Sequence, residues 1–126
     1  MSYLEIEQTK PPEGYSDAHI ELDYRGSALN VDTRPVKLTR KECELLTLLA
    51  QNAGEIVPRE VLLLRVWGYG REIRTRTLDV HIRRLRKKLG TYGDQYIETI
   101  FGVGYRFQPY REPRPFSLYG DAIAVA

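Results

Sequence analysis

The chain has 126 residues, about one domain's worth, with 42% hydrophobic residues and a net charge of +2. No apolar run approaches the roughly 20 residues that span a bilayer, and no N-terminal segment couples a basic to an apolar stretch as a signal peptide does. Cys43 stands alone, which excludes an intrachain disulfide and fits a reducing cytoplasm, while His19, His81 and Cys43 have no metal-ligand spacing. With no paired base and nucleophile either, neither a metal, a cofactor nor a catalytic residue is expected.

Residues 1–18, with Pro11, Pro12 and Gly14, read as a linker or tail. Alternation then begins: Ile20, Leu22 and Tyr24 share one strand face, Leu29 and Val31 mark a second strand, and Val36 and Leu38 a third. Arg25-Gly26-Ser27 and Asp32-Thr33-Arg34 read as the turns of this antiparallel meander. A first helix starts at Thr39, where Thr39 and Glu42 have capping-box spacing, and closes at Gly54. Cys43, Leu46 and Ala50, widened by Leu45, Leu48 and Leu49, form its apolar stripe, so Cys43 reads as a small core residue. Ile56-Val57 is too short for more than a bridge. Pro58 suits the start of a second helix, which runs through Val61, Leu62, Leu64 and Val66 to Trp67-Gly68. The segment from Tyr69 to Arg74 reads as a loop.

A third helix spans Thr75 to Leu89. Leu78, Ile82, Leu85 and Leu89 fall on one stripe, and Arg76, Val80, Arg83, Arg84 and Lys87 fill the opposite side, with Asp79 at its edge. A connection from Thr91 to Gln95 leads into two strands, Tyr96 to Phe101 and Tyr105 to Gln108, joined through Gly102-Val103-Gly104 as a hairpin. Residues 109–126 read as a tail, leaving 19–108 as the folded domain.

The charge is unevenly distributed. Residues 1–32 carry a net −5 and the remainder +7, and between Arg71 and Lys88 eight bases face only Glu72 and Asp79. Such a concentration is the footprint of a nucleic-acid site, although a solvated surface helix gives the same signal. Val80 separates the two. An apolar residue amid charges gains little from water but fits against a thymine methyl in the major groove.

The run from Arg76 to Leu89 resembles the recognition helix of the OmpR/PhoB family of bacterial response regulators. Leu38-Thr39-Arg40-Lys41-Glu42, Arg65-Val66-Trp67-Gly68 and Gly102-Val103-Gly104-Tyr105-Arg106-Phe107 agree with it in order and spacing. The resemblance covers about residues 19–108. It implies an α+β winged helix-turn-helix: an N-terminal antiparallel sheet of four strands, a three-helix bundle, and a C-terminal hairpin wing. It also implies a cytoplasmic two-component transcription regulator, bound to double-stranded DNA at tandem direct repeats as a head-to-tail homodimer. Arg76, Thr77, Asp79, Val80, Arg83 and Arg84 match positions that face bases or nearby phosphates, and Lys87 lies on the same basic side. Arg59, Trp67, His81, Arg86, Thr99 and Tyr105 match positions that touch the sugar-phosphate backbone. Core packing is the plainer role for Trp67 and Tyr105, and a single hydrogen bond for His81. The loop of Tyr69, Gly70, Arg71, Glu72, Ile73 and Arg74 resembles one that contacts RNA polymerase; its plainer role is a connector.

Two positions depart from the family. Pro58 stands where a Ser cap is common, and Phe101 stands where the wing usually carries an Arg for the minor groove. Either minor-groove readout is missing, the reading adopted from sequence, or Phe101 packs against the wing or against sugars. No receiver domain fits within residues 1–18. The alternatives are a stand-alone regulator and an effector domain cut from a longer protein; the acidic, Pro-containing start looks like an interdomain linker and favours the second, with a receiver domain and sensor kinase outside this chain. A winged helix turned protein-interaction module is the competing function, and an enzyme is not expected.

Overall fold

The computed structural model describes residues 13–68 and 75–111. It opens with a four-stranded antiparallel sheet in the order β1 (Gly14–Ser16), β2 (Ile20–Asp23), β3 (Ala28–Val31), β4 (Arg34–Lys37). The alternation is clearest in β2, where Ile20 and Leu22 turn inward while Glu21 and Asp23 face water, and Leu29 of β3 turns inward beside Leu22. The edge strand β1 lies within residues 1–18, which the sequence pattern reads as a linker or tail. Three residues carry no period, and β1 exists through its pairing of Tyr15 with Leu22 and the Tyr24 N–H bond to the Glu13 carbonyl. β3 and β4 are joined by Asp32-Thr33, both at positive φ (48° and 66°). That is the two-residue hairpin turn whose twist matches the strands, an unfavourable conformation for β-branched Thr33. Asp32 is held there by His19 Nδ1 at 2.7 Å and by the Tyr92 hydroxyl, which donates to it at 2.7 Å.

Three helices follow: α1 (Arg40–Gln51), α2 (Arg59–Trp67) and α3 (Thr75–Lys88). The capping box at α1 forms as expected: Thr39 Oγ1 accepts from Glu42 N–H (3.2 Å), and Glu42 Oε1 accepts from Thr39 N–H (2.9 Å). α1 ends at Gln51, and Gly54 (φ +86°) serves two residues beyond the cap, its N–H donating to the Phe107 carbonyl. Pro58 is the N-cap of α2 and makes no side-chain cap bond. The three helices touch one another pairwise around Leu45, Leu46, Leu49, Leu62, Val66, Leu78, Ile82, Leu85 and Leu89, with Cys43 buried beside them.

Thr91 to Gln95, read as a plain connection, instead forms a 3-10 turn (Gly90–Tyr92) and a one-turn helix, α4 (Gly93–Tyr96). The wing is a second sheet, ordered β5 (Ile56–Pro58), β7 (Gly104–Phe107), β6 (Ile97–Ile100). Ile56–Pro58 is thus a paired strand rather than an isolated bridge, because β7 supplies its partners. The two sheets meet where Tyr15 packs edge-on to Phe107 and the Tyr96 hydroxyl donates to the Asp17 carboxylate at 2.8 Å. Tyr110, the start of the tail as read from sequence, packs edge-on against His19.

Candidate nucleic-acid interface

α3 divides as its periodicity requires. Leu78, Ile82, Leu85 and Leu89 are fully buried, while Arg76, Arg83, Arg84 and Lys87 are exposed. Among the described residues none of these four cations lies within ion-pair distance of a carboxylate. Arg76, Thr77, Val80, His81 and Arg84 line one shallow depression on this side, with half-buried Val80 among the charges.

Other cations are engaged within the protein. Arg59 Nη1 donates to Asp79 Oδ1 at 2.7 Å, and the Tyr105 hydroxyl donates to the same oxygen at 2.6 Å. Arg86 donates through Nε and Nη2 to the Ile97 carbonyl (3.1 and 2.7 Å) and through Nη2 to Thr99 Oγ1 (2.7 Å). The Arg59 and Arg86 guanidinium groups also lie 5.5 and 5.8 Å from the centre of the Tyr105 ring. Asp79 and Arg86, seven residues apart, share one edge of α3. From that edge they fasten α3 to the start of α2 and to both long strands of the wing. Burial first, and then the Asp79 carboxylate, push the Tyr105 hydroxyl up to about 12, so it stays a donor across the physiological range.

Asp79, which the resemblance places among positions that face bases or nearby phosphates, therefore holds an arginine of the protein itself rather than standing open to a base. Arg59, Arg86, Thr99 and Tyr105 fall within this network. Trp67 packs edge-on against His81 at 4.9 Å between ring centres. His81 Nδ1 lies 2.8 Å from the Thr77 carbonyl, which can only accept, so the ring proton sits on Nδ1. Arg76, Thr77, Val80 and Arg84 come together in the depression, while Arg83 and Lys87 are exposed outside it. The segment 69–74 lies outside the described residues. The network itself was missed from sequence; the Asp79/Arg86 spacing was the available signal. Asp79→Asn is expected to lower stability by about 1–2 kcal/mol, since a half-exposed charged acceptor is lost. Urea denaturation checks it, and an unchanged midpoint would show that the network fastens nothing.

Wing, bundle and one-sided cationic helix together define a winged helix-turn-helix domain. The chain belongs to the family described as "Transcriptional regulatory protein, C terminal", which matches residues 33–107. This is a family of regulators, not enzymes. The response regulator ArlR of Staphylococcus saprophyticus is 44% identical over 87 residues, covering 68% of this chain and 40% of that protein. The chain thus spans well under half the length of such relatives. Among solved structures, the response regulator DrrB of Thermotoga maritima, an OmpR/PhoB homologue, superposes with a TM-score of 0.72 at 34% identity, over 86% of this chain and 48% of its own. The DNA-binding domain of Klebsiella pneumoniae RstA, solved in complex with the RstA box, gives 0.68 at 30% identity over 79% of this chain and 100% of its own. Among the described residues no helix is long and apolar enough to cross a membrane, and no cluster of side chains could hold a metal ion.

Proposed function

We propose that this chain is the effector domain of a two-component response regulator and binds double-stranded DNA sequence-specifically, with α3 in the major groove and the wing beside the minor groove. The observation that carries this is the solvent side of α3, where Arg76, Arg83, Arg84 and Lys87 are exposed without a carboxylate among the described residues, around Thr77 and Val80. At about 1.5 Å per residue its 14 residues give a rod of roughly 21 Å. Such a rod enters a groove about 12 Å wide. Guanidinium forks pair with guanine edges or phosphates, and Val80 meets a thymine methyl. Trp67 and His81 flank the depression as backbone contacts. That RstA and AdeR domains of this fold were solved on DNA supports the assignment.

The finer reading is a head-to-tail homodimer on tandem direct repeats, with residues 69–74 reaching RNA polymerase and a receiver domain, driven by a sensor kinase, outside this chain. The cytoplasm is its compartment. Selection of bound sequences from a random duplex pool tests the whole reading. The expected product is a pair of half-sites in the same orientation, about one helical turn apart. No enrichment, together with a flat dependence of binding on salt, would instead make the domain a protein-interaction module.

A further inference from the structure

The wing tip is Phe101-Gly102-Val103, and it is fixed rather than loose. Gly102 takes φ +79°, and the Val103 N–H closes the turn on the Ile100 carbonyl at 3.0 Å. The Val103 carbonyl accepts the Arg59 N–H at 3.0 Å, which clamps the tip to the start of α2. Behind it, Gly104 runs so close to the Val57 carbonyl oxygen that any Cβ there would collide. The Arg59 side chain in turn reaches Asp79 on α3. The tip is therefore tied through Arg59 to Asp79, at the edge of the side of α3 that carries the exposed cations.

On this clamped tip the Phe101 ring is 91% exposed, and Val103, two residues on, is 44% exposed. Packing against the wing, one of the sequence alternatives, is excluded by that exposure. A single exposed apolar residue is ordinary on a protein surface. Here, however, two share a three-residue tip without a charge, on a hairpin continuous with a cationic face. A polyanion drawn to that face brings its neighbouring minor groove to the tip. The walls of that groove are deoxyribose C–H surface, and aromatic rings are inserted there between base steps by proteins that bend DNA.

The geometry points to Phe101 as an apolar wedge that presses on minor-groove sugars and partly unstacks a flexible pyrimidine–purine step. This rests on the DNA-binding reading above. An arginine at this position senses groove width through charge, whereas a phenyl ring senses how easily the step opens. TA and CA/TG steps open most easily, so they should recur at the wing-facing position of selected sites. This replaces the expectation from sequence that minor-groove readout is simply missing.

The test uses the full chain on a duplex recovered from the pool, with 2-aminopurine placed in turn at each wing-facing position. The parent should brighten the probe at one step. Phe101→Ala should abolish the brightening and weaken binding about tenfold at every salt concentration, as loss of a base–aromatic stack does. The slope against salt should not change, because the ring carries no charge. Phe101→Trp should retain both signals, and Phe101→Arg should lose the brightening while steepening the slope by about 1. Because the ring touches solvent, Phe101→Ala should melt with the parent, which separates this loss from misfolding. A Phe101→Ala chain that binds as tightly as the parent, with the probe dark for both, overturns the wedge and leaves the DNA reading intact. A parent that binds no duplex removes both.

Discussion

Lys88→Met lowers folding stability by about 3 kcal/mol near neutral pH, at the lower end of what breaking a buried ion pair costs because the lysine itself is only half-buried. Its partner Glu42 is 1% exposed. The Glu42 carboxylate accepts from Lys88 Nζ and from the Thr39 N–H, while Lys88 Nζ also donates to the Lys37 carbonyl at 2.9 Å. One ammonium thus joins the cap of α1, the end of β4 and the last turn of α3, where a cation also suits the helix dipole. Burial pushes the Glu42 carboxyl up, but the Lys88 and Thr39 hydrogen bonds outweigh it and hold the group below the usual carboxylate range. A depressed native pKa means stability that is fully present above the unfolded value and is lost as pH falls through the native one. The parent should therefore weaken on acidification below about pH 4.5. Lys88→Met removes the cause of the depression, so its stability should fall less over the same range. Urea denaturation at pH 7 and pH 4 measures both effects. Glu42→Leu with Lys88→Met should recover much of the loss, less about 1 kcal/mol for the cap. A single variant within 0.5 kcal/mol of the parent, on the scale of ordinary surface changes, would make the pair dispensable.

The same pair shows where the sequence stops being informative. The Thr39/Glu42 box is local, and its spacing gave it away. That Glu42 also anchors Lys88, 46 residues later, depends on how α1 and α3 cross. The buried stripe of α3 was legible for the reason the box was: Leu78, Ile82, Leu85 and Leu89 repeat at helical spacing whatever they pack against. β1 and β5 were not legible, since three-residue strands have no period and owe their existence to β2 and β7. In the interface the sequence located the cationic side but could not sort the cations. Arg59 finds Asp79 twenty positions away and Arg86 finds Thr99 thirteen away, across elements whose juxtaposition only the fold supplies. Family positions therefore made all of Arg59, Arg86 and Arg84 DNA contacts, the first two to the backbone and the third near bases, whereas among the described residues Arg59 and Arg86 are engaged within the protein and Arg84 is exposed.

That separation sets the largest expected effect on binding. Arg83→Gln with Arg84→Gln should weaken binding to the selected duplex by roughly 100-fold or more, since each bidentate contact carries about 1–3 kcal/mol. Where the guanidiniums also displace counterions, the slope of log affinity against log salt should become shallower by up to about 2. Arg86→Gln should behave differently although it removes the same charge from the same helix. Its guanidinium already serves the Ile97 carbonyl and Thr99, so its loss should cost about 1–2 kcal/mol of folding stability and change the salt slope by well under 1. Fluorescence anisotropy titrations at four salt concentrations, beside urea curves for each variant, give both quantities. A slope change near 1 for Arg86→Gln, with stability intact, would put Arg86 on a phosphate and return it to the role its family position implies. The reverse pattern makes Arg86 and Asp79 the parts of α3 that hold the wing at a fixed angle. Binding strength would then depend on the four exposed cations of α3, and site choice on how well the clamped wing and the helix fit one stretch of DNA together.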